Sequence, residues 1–298
     1  MSQVSRREFM QWGAKLAAVM GLGSTAVPAI ADAVAALSDG SAPVLWLQAQ
    51  SCSGCSVSVL NSASPDPAEI ITRYIALRFH PNLSAASGHL SMHVIRRTIE
   101  QGGYYLVVEG SIPTAMPQAC VMDHEPMDKL IASAARNARA IIAQGTCAVY
   151  GGIPAAQNNP TGAVALGPFL KSQRIDKPML ALPGCPPHPD WLVGTLVHVL
   201  KFGLPKLDAE GRPLMFFADY ERERFATSFS EDGCLFRLGC LGPITHADCT
   251  IRPWNGGTSN CIGAGSPCIG CASRDFATRT DFPFFRTKQE LAKKPAKH

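Results

Sequence analysis

Between residues 44 and 202 the chain alternates short, unbroken apolar runs with longer segments whose apolar positions recur at helical spacing. Val44-Leu-Trp-Leu-Gln-Ala-Gln50, Tyr104-Tyr-Leu-Val-Val-Glu109, Ala138 to Ala143 and Pro178-Met-Leu-Ala-Leu182 read as buried strands. A strand covered on both faces needs apolar residues at successive positions, not at every second one. Helices are expected over about 55–62, over 126–138, where Met127, Leu130, Ile131 and Ala134 share one face, and from about 190 to 202. Strands alternating with helices predict an α/β fold with a doubly wound parallel sheet. In such sheets functional groups collect in the loops after the carboxyl ends of the strands. Three of those loops carry cysteine: Cys52 and Cys55, then Cys147, then Cys185. The topology therefore gathers four sequence-distant thiols at one edge, enough for one metal centre.

From about residue 205 the periodicity gives way to short turns rich in Gly, Pro and Cys, which puts a domain boundary between 203 and 213. Six of the 11 cysteines fall between Cys234 and Cys271, namely Cys234, Cys240, Cys249, Cys261, Cys268 and Cys271. Thiolates that hold an inorganic cluster must converge, and neighbouring glycines let backbone N–H groups approach the sulfurs. This region has too few contiguous apolar residues to bury a core of its own, so its folding is expected to depend on metal centres.

Composition narrows the functional classes. A 46% hydrophobic content over 298 residues suits a packed globular chain, and a net charge of +4 is too small and scattered to argue for nucleic acid. Ser5-Arg6-Arg7-Glu8-Phe9-Met10 precedes a weakly apolar run to about Ile30 and the small-residue stretch Ala31 to Ala36. That is a twin-arginine export signature, with cleavage expected near Ala33 or Ala36. The predicted layout is a signal peptide at 1–36, a first domain at 41–205, a cysteine-rich domain at 206–285 and a tail at 286–298. The apolar run is broken by Gly, Ser, Thr and Pro, and no second run of roughly 20 apolar residues follows, so no transmembrane anchor is expected in the mature chain. Export raises the question of disulfides, but an odd cysteine count with short Cys-x-x-Cys spacings fits a disulfide framework badly.

Ser51-Cys-Ser-Gly-Cys-Ser56, Val108-Glu-Gly-Ser-Ile-Pro113, Gly145-Thr-Cys147, Pro183-Gly-Cys-Pro-Pro-His-Pro-Asp-Trp191, Cys234-x5-Cys240-x-Gly-Pro243 and Pro267-Cys-Ile-Gly-Cys271 occur in that order. In these motifs the chain resembles the small, electron-transferring subunit of nickel-iron hydrogenases. The resemblance implies a flavodoxin-like domain followed by a small irregular iron-sulfur domain, with hydrogen chemistry at a nickel-iron centre in a separate large subunit. By motif, Cys52, Cys55, Cys147 and Cys185 would hold a proximal 4Fe-4S cube. Positions that carry extra cysteines in oxygen-tolerant relatives correspond to Gly54 and Gly152, which implies an ordinary proximal cube. Cys249, Cys268 and Cys271 would hold the medial cluster, and Cys261, standing where many relatives have Pro, would complete a 4Fe-4S set and lower its potential. Cys234 and Cys240 match half of a distal site. The expected upstream His-x-x-Cys is absent from Met215 to Phe225, so Asp219, Glu221 or Glu223, a partner chain, or loss of the cluster would account for the rest; a non-standard distal site is preferred here. The partners implied are the large subunit, over an interface near Cys52 and Cys185, and a membrane or soluble electron acceptor near Cys234. The location implied is the periplasm or the outer face of the cytoplasmic membrane.

Structural roles compete with functional ones elsewhere. Cys120 is expected to be a loop thiol without a ligand role. His188 is expected to fix its loop by a hydrogen bond; His80, His89, His93, His124, His198 and His246 default to surface or core. Glu109, at a strand end, could relay protons, meet the large subunit or bond loop N–H groups. Trp46, Trp191 and Trp254 are expected to pack. Rival functions are a flavin-binding carrier, disfavoured by Cys-Ser-Gly-Cys where a phosphate-cradling loop is needed, the small subunit of a quinone-linked respiratory complex, and a disulfide-stapled secreted binding protein.

Overall fold

Strands of continuous Val, Ile, Leu and Ala build the centre of the protein. The computed structural model describes residues 6–38, 43–218, 235 and 240–278. In chain order these form helices α1 (Arg6–Val19) and α2 (Val27–Ser38), then β1 (Pro43–Gln48), α3 (Gly54–Leu60), β2 (Ala76–Phe79), α4 (His89–Gln101), β3 (Tyr105–Glu109), α5 (Met127–Asn137), β4 (Ala140–Gln144), α6 (Thr146–Tyr150), α7 (Leu166–Ser172), β5 (Met179–Leu182) and α8 (Pro189–Phe202). The five strands form one sheet in the order β2-β1-β3-β4-β5, and every pairing is parallel. This is the flavodoxin-like order, with the switch point between β1 and β3. The α/β expectation holds, with one strand more than the pattern predicted.

Each face of the sheet has its own core. Trp46, Val107, Ile142 and Leu180 meet Trp191, Leu192 and Leu196 of α8, whereas Leu45, Leu106 and Ile141 meet Ile95 of α4, Leu130 of α5 and Phe169 of α7 on the other side. Burying each such side chain contributes roughly 1.5–3 kcal/mol. β2 escapes the sequence pattern because it is a four-residue edge strand in which only Phe79 is fully covered. α4 escapes it because its buried face mixes Met92, Ile95 and Ile99 with Ser91 and Thr98.

α1 and α2 pack as a hairpin against the α8 face. Leu16, Ala17, Met20 and Ile30 are buried there, with Lys15–Glu69 (4.0 Å) and Lys201–Asp32 (3.6 Å) pairs at the rim. The expected cleavage positions Ala33 and Ala36 lie inside α2. Among the described residues no helix is long and apolar enough to cross a membrane.

The described part of the C-terminal region borrows its apolar anchoring from the α/β core. Phe216 and Phe217 are buried against α8, with Phe217 tilted on Trp191 at 4.6 Å between ring centroids and the Arg252 guanidinium 5.3 Å from the Phe216 ring centre. Over 240–278 the described chain is mostly turns with two four-residue helices, Gly242–Thr245 and Trp254–Gly257, and a small apolar cluster of Ala156, Phe276 and Ala277. Phe216→Ala should therefore cost about 3–5 kcal/mol by leaving a cavity. Denaturant unfolding of the purified protein measures it, and a loss below about 1 kcal/mol would show that Phe216 does not anchor the segment.

Candidate metal centre

Parallel register places Gln48, Glu109, Gln144 and Leu182 side by side at the carboxyl ends of β1, β3, β4 and β5. Glu109 is fully buried, and five donors converge on its carboxylate: Trp46 Nε1 (3.2 Å), Gln48 Nε2 (3.0 Å), Ser51 Oγ (2.7 Å), Ser56 Oγ (2.6 Å) and the Cys55 N–H (3.2 Å). Of the roles open from sequence, bonding the loop is the one these contacts display. The carboxylate clamps the Cys52–Cys55 loop to the sheet from both flanks. His80 extends this network, taking the Asn82 N–H at Nδ1 (3.1 Å) and donating from Nε2 to Ser56 Oγ (3.2 Å). Burial pushes the His80 pKa down to about 4, so the neutral ring is the one that fits here.

The other two cysteine loops are tied to the same edge. Ser58 Oγ donates to the Pro187 carbonyl at 2.7 Å, Gly145 N–H to Leu182 O at 2.8 Å, and Thr146 N–H to Gly184 O at 2.9 Å. Cys52, Cys147 and Cys185 are thereby brought close enough to Cys55 to disturb its ionisation. Burial, followed by repulsion from Glu109 and the other three thiolates, drives the Cys55 thiol well above its usual range. Burial and then Cys185 push Cys147 up to about 12, and burial with Cys52 raises Cys185. Such a set holds its anionic form together only when a cation offsets the repulsion.

In the second group Cys249, Cys261, Cys268 and Cys271, together with Cys185, line a cavity of about 420 Å³. Burial pushes Cys271 up to about 12, with Cys268, Cys185 and Cys261 adding repulsion, and burial also raises Cys268. Cys240 is buried beside this group, its Sγ accepting the Cys268 N–H at 3.2 Å. Cys234 and the acidic residues Asp219, Glu221 and Glu223 lie outside the described residues.

Both groups fit an iron-sulfur cluster by the chemistry of what faces the sulfurs. Backbone N–H groups of Gly54 (3.4 Å) and Gly270 (3.4 Å) point at Cys52 and Cys268, and Thr245 Oγ1 lies 3.5 Å from Cys268 Sγ. Gly152 has φ +56°, and a Cβ there would lie 2.6 Å from the Cys147 sulfur; Gly145 has φ +89°, and its Cβ would overlap the Cys55 sulfur. Among the described residues no three His, Cys, Asp or Glu side chains are grouped to hold a single ion. Thiolates around a cube sit further apart than the ligands of one ion, since four irons lie between them.

Several neighbours had no local signal in the sequence. Buried Asp248, next to Cys249, takes Trp191 Nε1 (2.8 Å) and Arg252 Nε (2.9 Å), and Arg252 reaches on to Asp190 (3.0 Å). Trp46 and Trp191 thus serve as hydrogen-bond donors as well as packing. His188 fixes its loop as expected, with Nδ1 accepting the Asp190 N–H (3.2 Å) and Nε2 3.4 Å from the Pro253 carbonyl. Cys120 is half-buried, and burial raises its pKa.

Residues 52–199 match the family described as NADH ubiquinone oxidoreductase, 20 Kd subunit, and residues 216–284 match the family of the C-terminal region of NiFe/NiFeSe hydrogenase small subunits. The chain is 41% identical to the periplasmic NiFeSe hydrogenase small subunit of Desulfomicrobium baculatum, over 92% of this chain and 96% of that protein. It is 36% identical to the periplasmic NiFe hydrogenase small subunit of Solidesulfovibrio fructosivorans, over 92% and 90%. The crystal structure of a reduced, active form of the Desulfomicrobium baculatum enzyme superimposes with a TM-score of 0.73 at 41% identity, covering 82% of this chain and 96% of that one. A quinone-linked subunit would account for the first match alone; the second match and the near full-length relatives decide between them. The chain belongs to the small subunits of nickel-iron hydrogenases, oxidoreductases that act on hydrogen through a complex of small and large subunits.

Proposed function

We propose that this chain passes electrons between the nickel-iron site of its large subunit and an external redox partner. The observation that carries the proposal is the pair of cysteine groups, each part-buried, each met by N–H donors and tied together through Thr146. Cys52, Cys55, Cys147 and Cys185 would hold a proximal 4Fe-4S cube; Cys249, Cys261, Cys268 and Cys271 would hold a medial one. Each cube, when bound, supplies a site that accepts and returns one electron at a potential set by nearby charge and hydrogen bonds. The protein's own part is to hold eight thiolates deprotonated and in place. Glu109 fixes the first loop, and the N–H donors draw charge from the sulfurs. Cys261 adds a fourth negative ligand, which favours a lower medial potential. Gly54 and Gly152 leave no extra thiol beside the proximal set, as expected of an ordinary cube. Cys234 and Cys240 are proposed to belong to a distal site completed by non-standard ligands.

α3 presents Val57 and Leu60 outward, half-exposed, beside a groove of about 560 Å³ lined by Gly54, Pro186, His188 and Trp254. Exposed apolar side chains beside the first cysteine pair suit an obligate partner, and we place the large subunit here. Periplasmic relatives and the paired Arg6-Arg7 support export by the twin-arginine route to the periplasm or the outer membrane face.

Hydrogen-dependent dye reduction should appear in the purified heterodimer of small and large subunits and be absent from this chain alone; turnover by the isolated chain would overturn the division of labour. Cluster iron should reach about twelve per small subunit, whereas about eight would remove the distal site from the proposal. Gly145→Ala should lower the count by about four, because the added methyl occupies the place of the Cys55 sulfur. An unchanged count in that variant would show that Cys55 is not held as described.

A further inference from the structure

The loop that carries Cys147 also touches the second cysteine group, through the residue just before it. Thr146 is 2% exposed. Its hydroxyl accepts the Gly184 N–H at 2.9 Å and donates to the Cys271 carbonyl. Its own N–H donates to Gly184 O at 2.9 Å. Gly184 is the residue before Cys185, so one side chain binds the backbone of a proximal loop on one side and that of a medial loop on the other.

With both loops fixed to Thr146, the backbone of Cys271 and the backbone of Gly184, next to Cys185, hang from one hydroxyl. The two cysteine side chains pack against the same small apolar cluster of Ala156, Phe276 and Ala277. Cys185 also lines the cavity of the second group. The two sites are thus joined through the Thr146 hydroxyl and through a shared apolar contact. Thr146 opens α6, yet its hydroxyl partners lie on two other loops, and the residue at the helix cap is Gly145. A helix-forming role does not explain this placement.

We infer that Thr146 is a positioning residue that clamps the Cys271 loop onto the Cys185 loop and so fixes the second cysteine group against the first. The inference rests on the proposed assignment of these groups to proximal and medial clusters. A cluster's potential depends on how its ligands are held and hydrogen-bonded. The hydroxyl is donated to a residue of the medial group itself, so the clamp acts on the medial site's potential, with the proximal site affected less.

Thr146→Val keeps the shape of the side chain and removes both hydroxyl bonds; Thr146→Ser restores them. In the complete heterodimer, iron content and redox titration followed by electron paramagnetic resonance read each cluster separately. Thr146→Ser should match the parent protein. Thr146→Val should retain the proximal cluster and shift the medial potential, with a smaller shift at the proximal site; loss of the medial cluster alone would also support the clamp. An unmoved medial potential at full iron content, equal shifts at both sites, or loss of both clusters together would overturn it. A parent heterodimer without cluster iron would instead overturn the assignment of function on which the inference stands.

Discussion

Four sulfurs held close together in a buried pocket repel one another when ionised and waste their binding capacity when protonated. Burial and mutual repulsion raise the thiols of Cys55, Cys147, Cys185, Cys268 and Cys271 together, so the arrangement is favourable only with cationic iron between them. The rest of the molecule is organised by that constraint. A rigid parallel sheet supplies three fixed loop origins, glycines at Gly145 and Gly152 clear space beside the sulfurs, and backbone N–H groups replace the hydration that the thiolates lose.

The same constraint explains why the polar residues under the first site are so heavily bonded. The turn through Cys52 into α3 has no strand pairing of its own to hold it. Glu109 compensates by collecting donors from β1, from the loop itself and from α3, and a single buried carboxylate thereby fixes the loop in three places. At the second site, where turns replace strands, Asp248 and Arg252 perform a comparable task next to Cys249, anchored to Trp191 and Asp190 of α8. Both sites hang from the same α/β scaffold, and Phe216 and Phe217 carry the apolar part of that attachment.

The sheet was largely legible in the chain because its central strands are apolar at nearly every position, and the first four thiols were legible because strand ends are where such a sheet gathers its loops. β2 and α4 were not, since an edge strand with exposed Arg78 and a helix that buries Ser91 and Thr98 weaken the periodic signal. The contacts that set the site's geometry were invisible for a different reason. Trp46 and Glu109 are 63 residues apart, and Thr146 and Cys271 are 125 apart; no local pattern encodes a hydrogen bond over that separation. Cys240 adds a contact that its interval from Cys234 does not announce: its sulfur accepts the N–H of Cys268.

The central claim is that two separate groups of four thiols, one at the strand ends and one in the cysteine-rich region, each hold a cube. Anomalous diffraction at the iron edge from crystals of the heterodimer tests it most directly. The account predicts one iron-sulfur density bonded to Cys52, Cys55, Cys147 and Cys185 and a second bonded to Cys249, Cys261, Cys268 and Cys271. Iron bonded to Cys240 in place of one of these eight, or a medial density of three irons with Cys261 unbonded, would contradict it.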